Sequence, residues 1–157
     1  MIILGIDPGI ADTGFGVIQE KNDSFRLIAA GTITTKKTDA LAKRLQQLAR
    51  GVARLIKKHQ PERIAVEELF FAKNAKTAIT VAHGRGVILF AAQAAGCEVE
   101  EYTPLEVKQA LTGYGRADKK QIQHMVKTVL NLKTIPKPDD AADALAIAIC
   151  AAQTKRF

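Results

Sequence analysis

The chain has 157 residues, of which 47% are hydrophobic and 25% charged, and this composition predicts one globular domain spanning residues 1–157. No apolar run is long enough to cross a membrane and the N-terminus lacks an export signal, which argues against membrane and secreted proteins. A formal net charge of +7 favours a polyanionic partner, with nucleic acid as the first candidate. The two cysteines, Cys97 and Cys150, lack metal-site spacing, so we expect buried reduced thiols and a cytoplasmic location.

The first nine residues predict a buried strand that ends in a turn. An apolar run stops at Asp7, Pro8 and Gly9, so Asp7 stands where the strand leaves the core. A carboxylate at that place needs a metal ion, a cation or hydrogen bonds. The alternative is that Asp7 only organises the turn, as aspartate often does.

Two more strands and a basic helix follow. We predict strands at residues 14–18 and 25–35, joined in an antiparallel meander. The next helix begins at a Thr38 or Asp39 cap and has apolar residues at helical spacing. Its other face is basic and is either a DNA contact or a solvated surface; it carries Lys43, Arg44, Arg50, Arg54, Lys57 and Lys58.

The second half of the chain alternates strands with helices. Strands are predicted at residues 63–68 and 97–102, and helices at residues 74–95, from Pro104, around 122–130 and at 140–152. A meander followed by this alternation predicts an α/β fold with a mixed sheet and helices on both faces.

Carboxylates recur at the end of the predicted fourth strand. Glu67 and Glu68 end that strand as Asp7 ends the first one. A doublet in this position is either part of a site or an ordinary solvated strand end.

The last helix carries the third carboxylate site. Asp143 is the only charged residue from position 141 to position 152, in a stretch that is apolar all round and therefore buried. Because an unpaired buried carboxylate is costly, Asp143 needs a cation. Asp140 lies one turn earlier on nearly the same face, although Asp139 or Asp140 is also an obvious helix cap.

Carboxylates from two strand ends and one buried helix can converge on one point. Oxygen ligands without histidine or cysteine at ligand spacing favour Mg²⁺ or Mn²⁺. Two such ions hold the attacking water and the leaving oxygen of a phosphodiester. In a basic protein this pattern indicates a metal-dependent nuclease. The three histidines, His59, His83 and His124, are interpreted as structural or surface residues.

Short motifs along nearly the whole chain resemble the RuvC-type Holliday-junction resolvases. They are GIDPG at residues 5–9, TGFG at 13–16, VEE at 66–68, FFAKN at 70–74, VKQ at 107–109, GYG at 113–115, QHMV at 123–126 and DAADALAIA at 140–148. Each motif alone is weak, but the ordered set is specific.

The resemblance implies a ribonuclease-H-like fold with a five-stranded mixed sheet, its first three strands antiparallel, and flanking helices. It implies a homodimer that resolves four-way DNA junctions by paired symmetric incisions, in recombination and DNA repair. Mg²⁺ or Mn²⁺ is the implied cofactor, with two ions per active site. A branch-migration motor is a further partner, implied by the family alone.

The resemblance also assigns roles to individual residues. The family's catalytic, metal-binding carboxylates correspond to Asp7, Glu67, Asp140 and Asp143, with Glu68 and Asp139 left open by the two doublets. Its functional lysines correspond to Lys108 and Lys119, and its DNA-facing aromatic residue to Phe70. The other expected DNA contacts are basic or amide side chains near these motifs: Lys73, Asn74, Arg85, Arg116 and Lys120.

The helix predicted at residues 74–95 is the expected dimer interface. Its small residues permit close approach of a second backbone: Ala75, Ala78, Ala82, Gly86 and Ala92. Its larger residues offer more apolar surface than one sheet needs: Ile79, Val87, Leu89 and Phe90. The alternative is that this helix packs entirely within its own domain.

Three other functions remain open on the sequence. A nucleotide phosphotransferase of the actin and sugar-kinase type shares the GIDPG hairpin but needs two such domains to enclose ATP. A non-catalytic junction-binding protein is a second alternative, but it does not explain why Asp143 would be buried. A ribonuclease acting on RNA–DNA hybrids would require a 2′-hydroxyl.

Overall fold

The computed structural model describes residues 1–69 and 75–154, which form five strands and five helices. The strands are β1 (Ile2–Asp7), β2 (Asp12–Lys21), β3 (Ser24–Thr34), β4 (Arg63–Glu67) and β5 (Glu98–Tyr102). The helices are α1 (Leu41–His59), α2 (Ala75–Ala94), α3 (Pro104–Thr112), α4 (Lys119–Val129) and α5 (Asp139–Gln153). These elements confirm the predicted order of strands and helices.

The strands form one mixed sheet in the order β3-β2-β1-β4-β5. The first three strands pair antiparallel, while β4 pairs parallel with both β1 and β5. The expected five-stranded sheet with an antiparallel first half is therefore confirmed. The parallel pairing brings the carboxyl ends of β1 and β4 to the same edge of the sheet.

Alternating side chains give the sheet two apolar faces. Ile3 of β1 packs in a core with α3, α4 and α5, whereas Leu4 and Ile6 pack in a second core with α1 and α2. Because side chains alternate along a strand, helices cover both faces. Among the described residues, no helix has the length and apolar character needed to cross a membrane.

The helix starts only partly follow the sequence signals. Thr103 caps α3 in a reciprocal capping box with Glu106, and Pro104 occupies the first turn as predicted. The predicted cap of α1 is wrong, because the helix begins after Ala40 and has no side-chain cap. The Asp39 carboxylate instead accepts hydrogen bonds from Lys43 and Gln47, farther along the helix.

Both cysteines are free thiols, as expected. Cys150 lies in the core, but Cys97 is only partly buried, so the prediction of two buried thiols is wrong for Cys97. Cys97 lies just before β5, which is an edge strand of the sheet.

Candidate active site

Glycines allow α5 to lie against the backbone of the sheet. Gly5 of β1 and Gly14 of β2 both face α5, and a methyl group on either one would overlap a backbone carbonyl oxygen of that helix. For Gly5 that carbonyl belongs to Ala144, and for Gly14 it belongs to Asp140. The side chains of β1 and β2 are thus absent where α5 crosses, and the first turns of the helix are held close to the end of β1.

The alternation of side chains decides which acids face this helix. Asp7 lies two residues beyond Gly5, and therefore points to the same face of the sheet as α5. In β4, Ala65 packs in the core that contains α5, so Glu67 lies on that face as well. Both strand-end carboxylates are directed to one side of the sheet.

Three carboxylates converge at this edge. Asp7, Asp140 and Asp143 each place one oxygen within 4.8 Å of the others. Glu67 does not belong to that group of three, but with Asp7 and Asp143 it lines one cavity of about 240 Å³. All four acids that the sequence singled out lie together.

Burial and mutual repulsion raise the pKa values of the clustered carboxyl groups. Burial, then the negative charges of Glu67, Asp143 and Asp140, raises the pKa of Asp7 to about 8. Burial and the charge of Asp143 raise the pKa of Glu67 to about 7, although Lys108 opposes this. Burial also raises the pKa of Asp143. Such a group of acids is stable in its ionised form only with added positive charge nearby.

Two lysines supply part of that charge. Nζ of Lys119, in the first turn of α4, lies 3.2 Å from Oδ2 of Asp143 and 3.5 Å from Oδ2 of Asp139. Partial burial lowers the pKa of Lys119, but the charges of Asp143 and Asp139 outweigh it and the pKa is raised. Lys108 of α3 lines the same cavity. Both predicted functional lysines therefore lie at the acids.

The structure also separates the members of the two acidic doublets. Glu68 is exposed and outside the cavity, and its backbone N–H donates to the carbonyl of Tyr102. Asp139 is exposed, and hydrogen bonds from Lys137 and the charge of Lys119 lower its pKa. Neither Asp139 nor Asp140 caps α5, because the cap residue is Pro138 and makes no side-chain cap bond. The helix-cap alternative is wrong for both.

The predicted DNA contacts are less uniform. Arg116 and Lys120 are exposed, near the start of α4. Arg85 is instead engaged within its own chain: its guanidinium pairs with the Glu101 carboxylate and donates to the Glu67 carbonyl oxygen. This contact ties α2 to the ends of β4 and β5. Phe70, Lys73 and Asn74 lie outside the described residues and stay predictions.

Two residues that support the site were missed from the sequence. Buried Gln123 of α4 donates from Nε2 to Oδ1 of Asp139 at 3.2 Å, and Nζ of Lys137 lies 3.4 Å from the same oxygen. The Gln123 bond helps to place the start of α5 beside α4, whereas Lys137 contacts Asp139 from the segment just before α5. Lys137 precedes the doublet in sequence by two residues, whereas nothing in the sequence pairs Gln123 with Asp139. None of the three histidines lines the cavity.

Comparisons with known proteins identify the family and the fold of this chain. The family described as "Crossover junction endodeoxyribonuclease RuvC" matches residues 3–151. A protein of that name from Alkaliphilus oremlandii is 54% identical over 157 residues, covering 100% of this chain and 96% of the relative. The solved Thermus thermophilus RuvC is 38% identical, with a TM-score of 0.90 over 98% of this chain and 94% of that one.

A second structure, of T. thermophilus RuvC in complex with Holliday junction substrate, has a TM-score of 0.89 at 35% identity, over 98% of this chain and 94% of that one. These matches support a junction nuclease over the phosphotransferase and hybrid-ribonuclease alternatives, and they confirm the expected fold. The chain belongs to the RuvC family of crossover junction endodeoxyribonucleases.

Proposed function

We propose that the acids at the ends of β1, β4 and the start of α5 form the active site of a nuclease that resolves four-way DNA junctions. The observation that carries the proposal is the convergence of Asp7, Asp140 and Asp143 within 4.8 Å, next to Glu67 and Lys119. A group of carboxylates this close is costly without cations. The names of the relatives supply the substrate class.

The donor atoms fit a divalent metal of the Mg²⁺ or Mn²⁺ type. All four acids offer carboxylate oxygens, the ligands these hard ions prefer. Asp7, Asp140, Asp143 and Glu67 would hold two such ions. When bound, the ions supply a more acidic water and neutralise charge on the phosphate oxygens.

The remaining side chains of the cavity position the substrate and balance charge. Lys119 reaches the acids from α4 and can stabilise the negative charge that develops on the phosphate. Lys108, from α3, faces Glu67 and is placed to contact a neighbouring phosphate. Val107 and Ile122 form part of the apolar wall of the cavity.

We also propose that two copies of the chain act together. A junction has two strands to cut, and a two-fold dimer with one site per subunit matches its symmetry. Helix α2 offers the surface: Ile79 is 59% exposed and Phe90 is 75% exposed, on one stripe with Ala82 and Gly86. Ala92, once expected in this interface, is fully buried in the protein's own core. A branch-migration motor as partner rests on the resemblance alone, and action in the cytoplasm rests on the expectation of two reduced thiols.

The dimer has a direct test. Phe90→Glu places a charge in the stripe and should give monomers in sedimentation equilibrium, with loss of paired incision. Thr77→Glu, exposed on the same helix but off the stripe, is the control and should leave the dimer intact. A monomeric wild-type protein at working concentration contradicts the dimer.

The nuclease proposal is tested with a synthetic immobile four-way junction, with and without Mg²⁺, on a denaturing gel. We expect symmetric cuts near the crossover that depend on Mg²⁺, and none in a linear duplex of the same sequence. Asp7→Asn should abolish the cuts and keep junction binding, because it removes a ligand and no phosphate contact. Cleavage by Asp7→Asn as fast as by the wild type contradicts the proposed site.

A further inference from the structure

A basic groove of about 760 Å³ lies on the other face of the sheet from the acids, between β3 and α1. Five basic side chains line it, against the single acidic residue Asp39. The five are Lys36, Lys43, Arg50, Arg54 and Lys58. The groove therefore has a formal excess of four positive charges in a chain whose net charge is +7.

Within the described part of the chain, four of these five cations form no ion pair. Asp39 is occupied by Lys43 and Gln47, at 3.0 and 3.1 Å. Within residues 1–69 and 75–154, the side chains of Lys36, Arg50, Arg54 and Lys58 make no ion pair and no hydrogen bond. Unpaired cations that line a concave surface attract an anionic ligand.

The cations form a line instead of a scattered patch. Lys43, Arg50, Arg54 and Lys58 follow one another at seven, four and four residues, on one side of α1. Along the helix axis this line extends about 22 Å, at about 1.5 Å per residue. A linear polyanion matches such a line better than a compact anion does.

The groove begins at the same edge of the sheet as the acids. The strand register aligns Asp7 with Gly14, and Gly14 with Thr32, which lines the groove. Two strand spacings separate Asp7 from Thr32, about 10 Å. From there α1 runs back toward the far end of the sheet, so the groove leads away from the active-site edge.

We infer that this groove binds the sugar-phosphate backbone of one duplex arm of the junction, outside the arm's crossover region. The inference rests on the proposed function for the identity of the DNA. Exposed arginine and lysine side chains such as Arg50, Arg54 and Lys58 commonly contact the phosphate oxygens of DNA. The line of cations from Lys43 to Lys58, about 22 Å long, corresponds to about six base pairs at about 3.4 Å each.

The test compares two triple variants with equal loss of charge. Arg50, Arg54 and Lys58 are each changed to Gln in the groove variant, while Lys21, Arg26 and Lys133 are changed to Gln in the control. All six residues are exposed, and the three control residues line neither the groove nor the acidic cavity. Junction affinity is measured without divalent metal at several salt concentrations, and the protected arm is mapped by hydroxyl-radical footprinting.

We expect the groove variant to lose at least tenfold in affinity. The slope of log affinity against log salt should become shallower by about three, because about one unit is lost for each phosphate contact. Protection of the arm segment that lies along the groove, about six base pairs long, should disappear. The control should keep the wild-type slope and footprint.

The outcomes separate this inference from the proposed function. If the groove variant matches the control in slope and footprint, the groove does not bind DNA, even if the wild type cuts junctions as expected. The alternative ligand of the groove is then an acidic protein segment. Weaker binding by the groove variant supports the groove even if Mg²⁺ produces no cuts, a result that overturns only the proposed chemistry. A wild type that does not bind junctions overturns both.

Discussion

Helices α5 and α1 lie on opposite faces of one sheet and carry charge in opposite ways. Ten of the fifteen residues of α5 are buried, and its acids Asp140 and Asp143 are partly buried beside Asp7. Only four of the nineteen residues of α1 are buried, and its lysines and arginines reach water. A carboxylate on the mostly buried α5 therefore indicates both a cation partner and its position. The cations on the exposed α1 indicate a binding site only because a groove lies beside them.

The largest effect is expected from a substitution at the contact between α5 and the sheet. Gly14→Ala puts a methyl group into the carbonyl oxygen of Asp140, so α5 must move away from Asp7. We expect cleavage to fall about 100-fold, as for a displacement of about 1 Å in other sites. The free energy of unfolding should fall by about 1–3 kcal/mol, measured by urea denaturation.

A matched glycine separates lost packing from lost geometry. Gly31→Ala, in β3, would contact the Phe15 ring at 3.1 Å and none of α5. It should cost some stability and leave the cleavage rate within about threefold of wild type, well below the effect of a site displacement. A folded Gly14→Ala protein with wild-type cleavage contradicts the role given to the glycines.

Adjacent lysines at the start of α4 compare a charge paired with the acids and a charge outside their cavity. Both are exposed, but Lys119 pairs with Asp143, whereas Lys120 does not line the acidic cavity. Lys119→Ala should slow cleavage at saturating DNA about tenfold or more with little change in affinity, because its charge acts at the reacting phosphate. Lys120→Ala should weaken binding and leave the rate at saturation intact. Single-turnover rates and binding isotherms measure the two effects. If Lys120→Ala slows the rate and Lys119→Ala weakens binding, the roles assigned to the two lysines are wrong.

The pH dependence of stability gives a smaller effect with a definite sign. In EDTA the folded protein holds a proton on Asp7 up to about pH 8, while the unfolded chain releases it near pH 4. The folded state thus binds more protons in this window, and stability falls as pH rises from about 4 to 8. Asp7→Asn removes this loss, so its melting temperature should exceed that of wild type at pH 8, with little difference at pH 4. A lower melting temperature of Asp7→Asn at pH 8 contradicts the strain assigned to the cluster.

Much of the fold follows from short-range patterns in the sequence. The apolar run before Asp7, the Pro104 start of α3 and the uniformly apolar stretch around Asp143 each predict the element that the structure contains. Each pattern carries a local free-energy cost, such as that of a buried charge or a missing backbone N–H. Few alternative local structures avoid that cost. The cap of α1 fails for the opposite reason, because Asp39 has competing donors in Lys43 and Gln47 that lie farther along the helix.

The arrangement of the site needs contacts that no local pattern contains. Glu67 and Glu68 are equivalent in sequence, and only the packing of Ala65 against the α5 side shows which one faces Asp7. Asp140 and Asp143 lie near β1 because Gly5 and Gly14 leave space for a helix 130 residues away, a pairing that one sequence does not reveal. The cations of α1 were visible in the sequence, but the groove beside them was not.

The two acidic doublets provide the most direct test of the account, because each holds one acid in the site and one outside it. Cleavage rates of Glu67→Gln, Glu68→Gln, Asp140→Asn and Asp139→Asn are measured on the same junction with Mg²⁺. We expect Glu67→Gln and Asp140→Asn to lose about 100-fold or more, as when other electrostatic groups are removed from active sites. Glu68→Gln should cleave like wild type, and Asp139→Asn should lose only a few-fold through Lys119. Equal losses within either doublet, or full activity of Asp140→Asn, would contradict the convergence of these acids on one reacting centre.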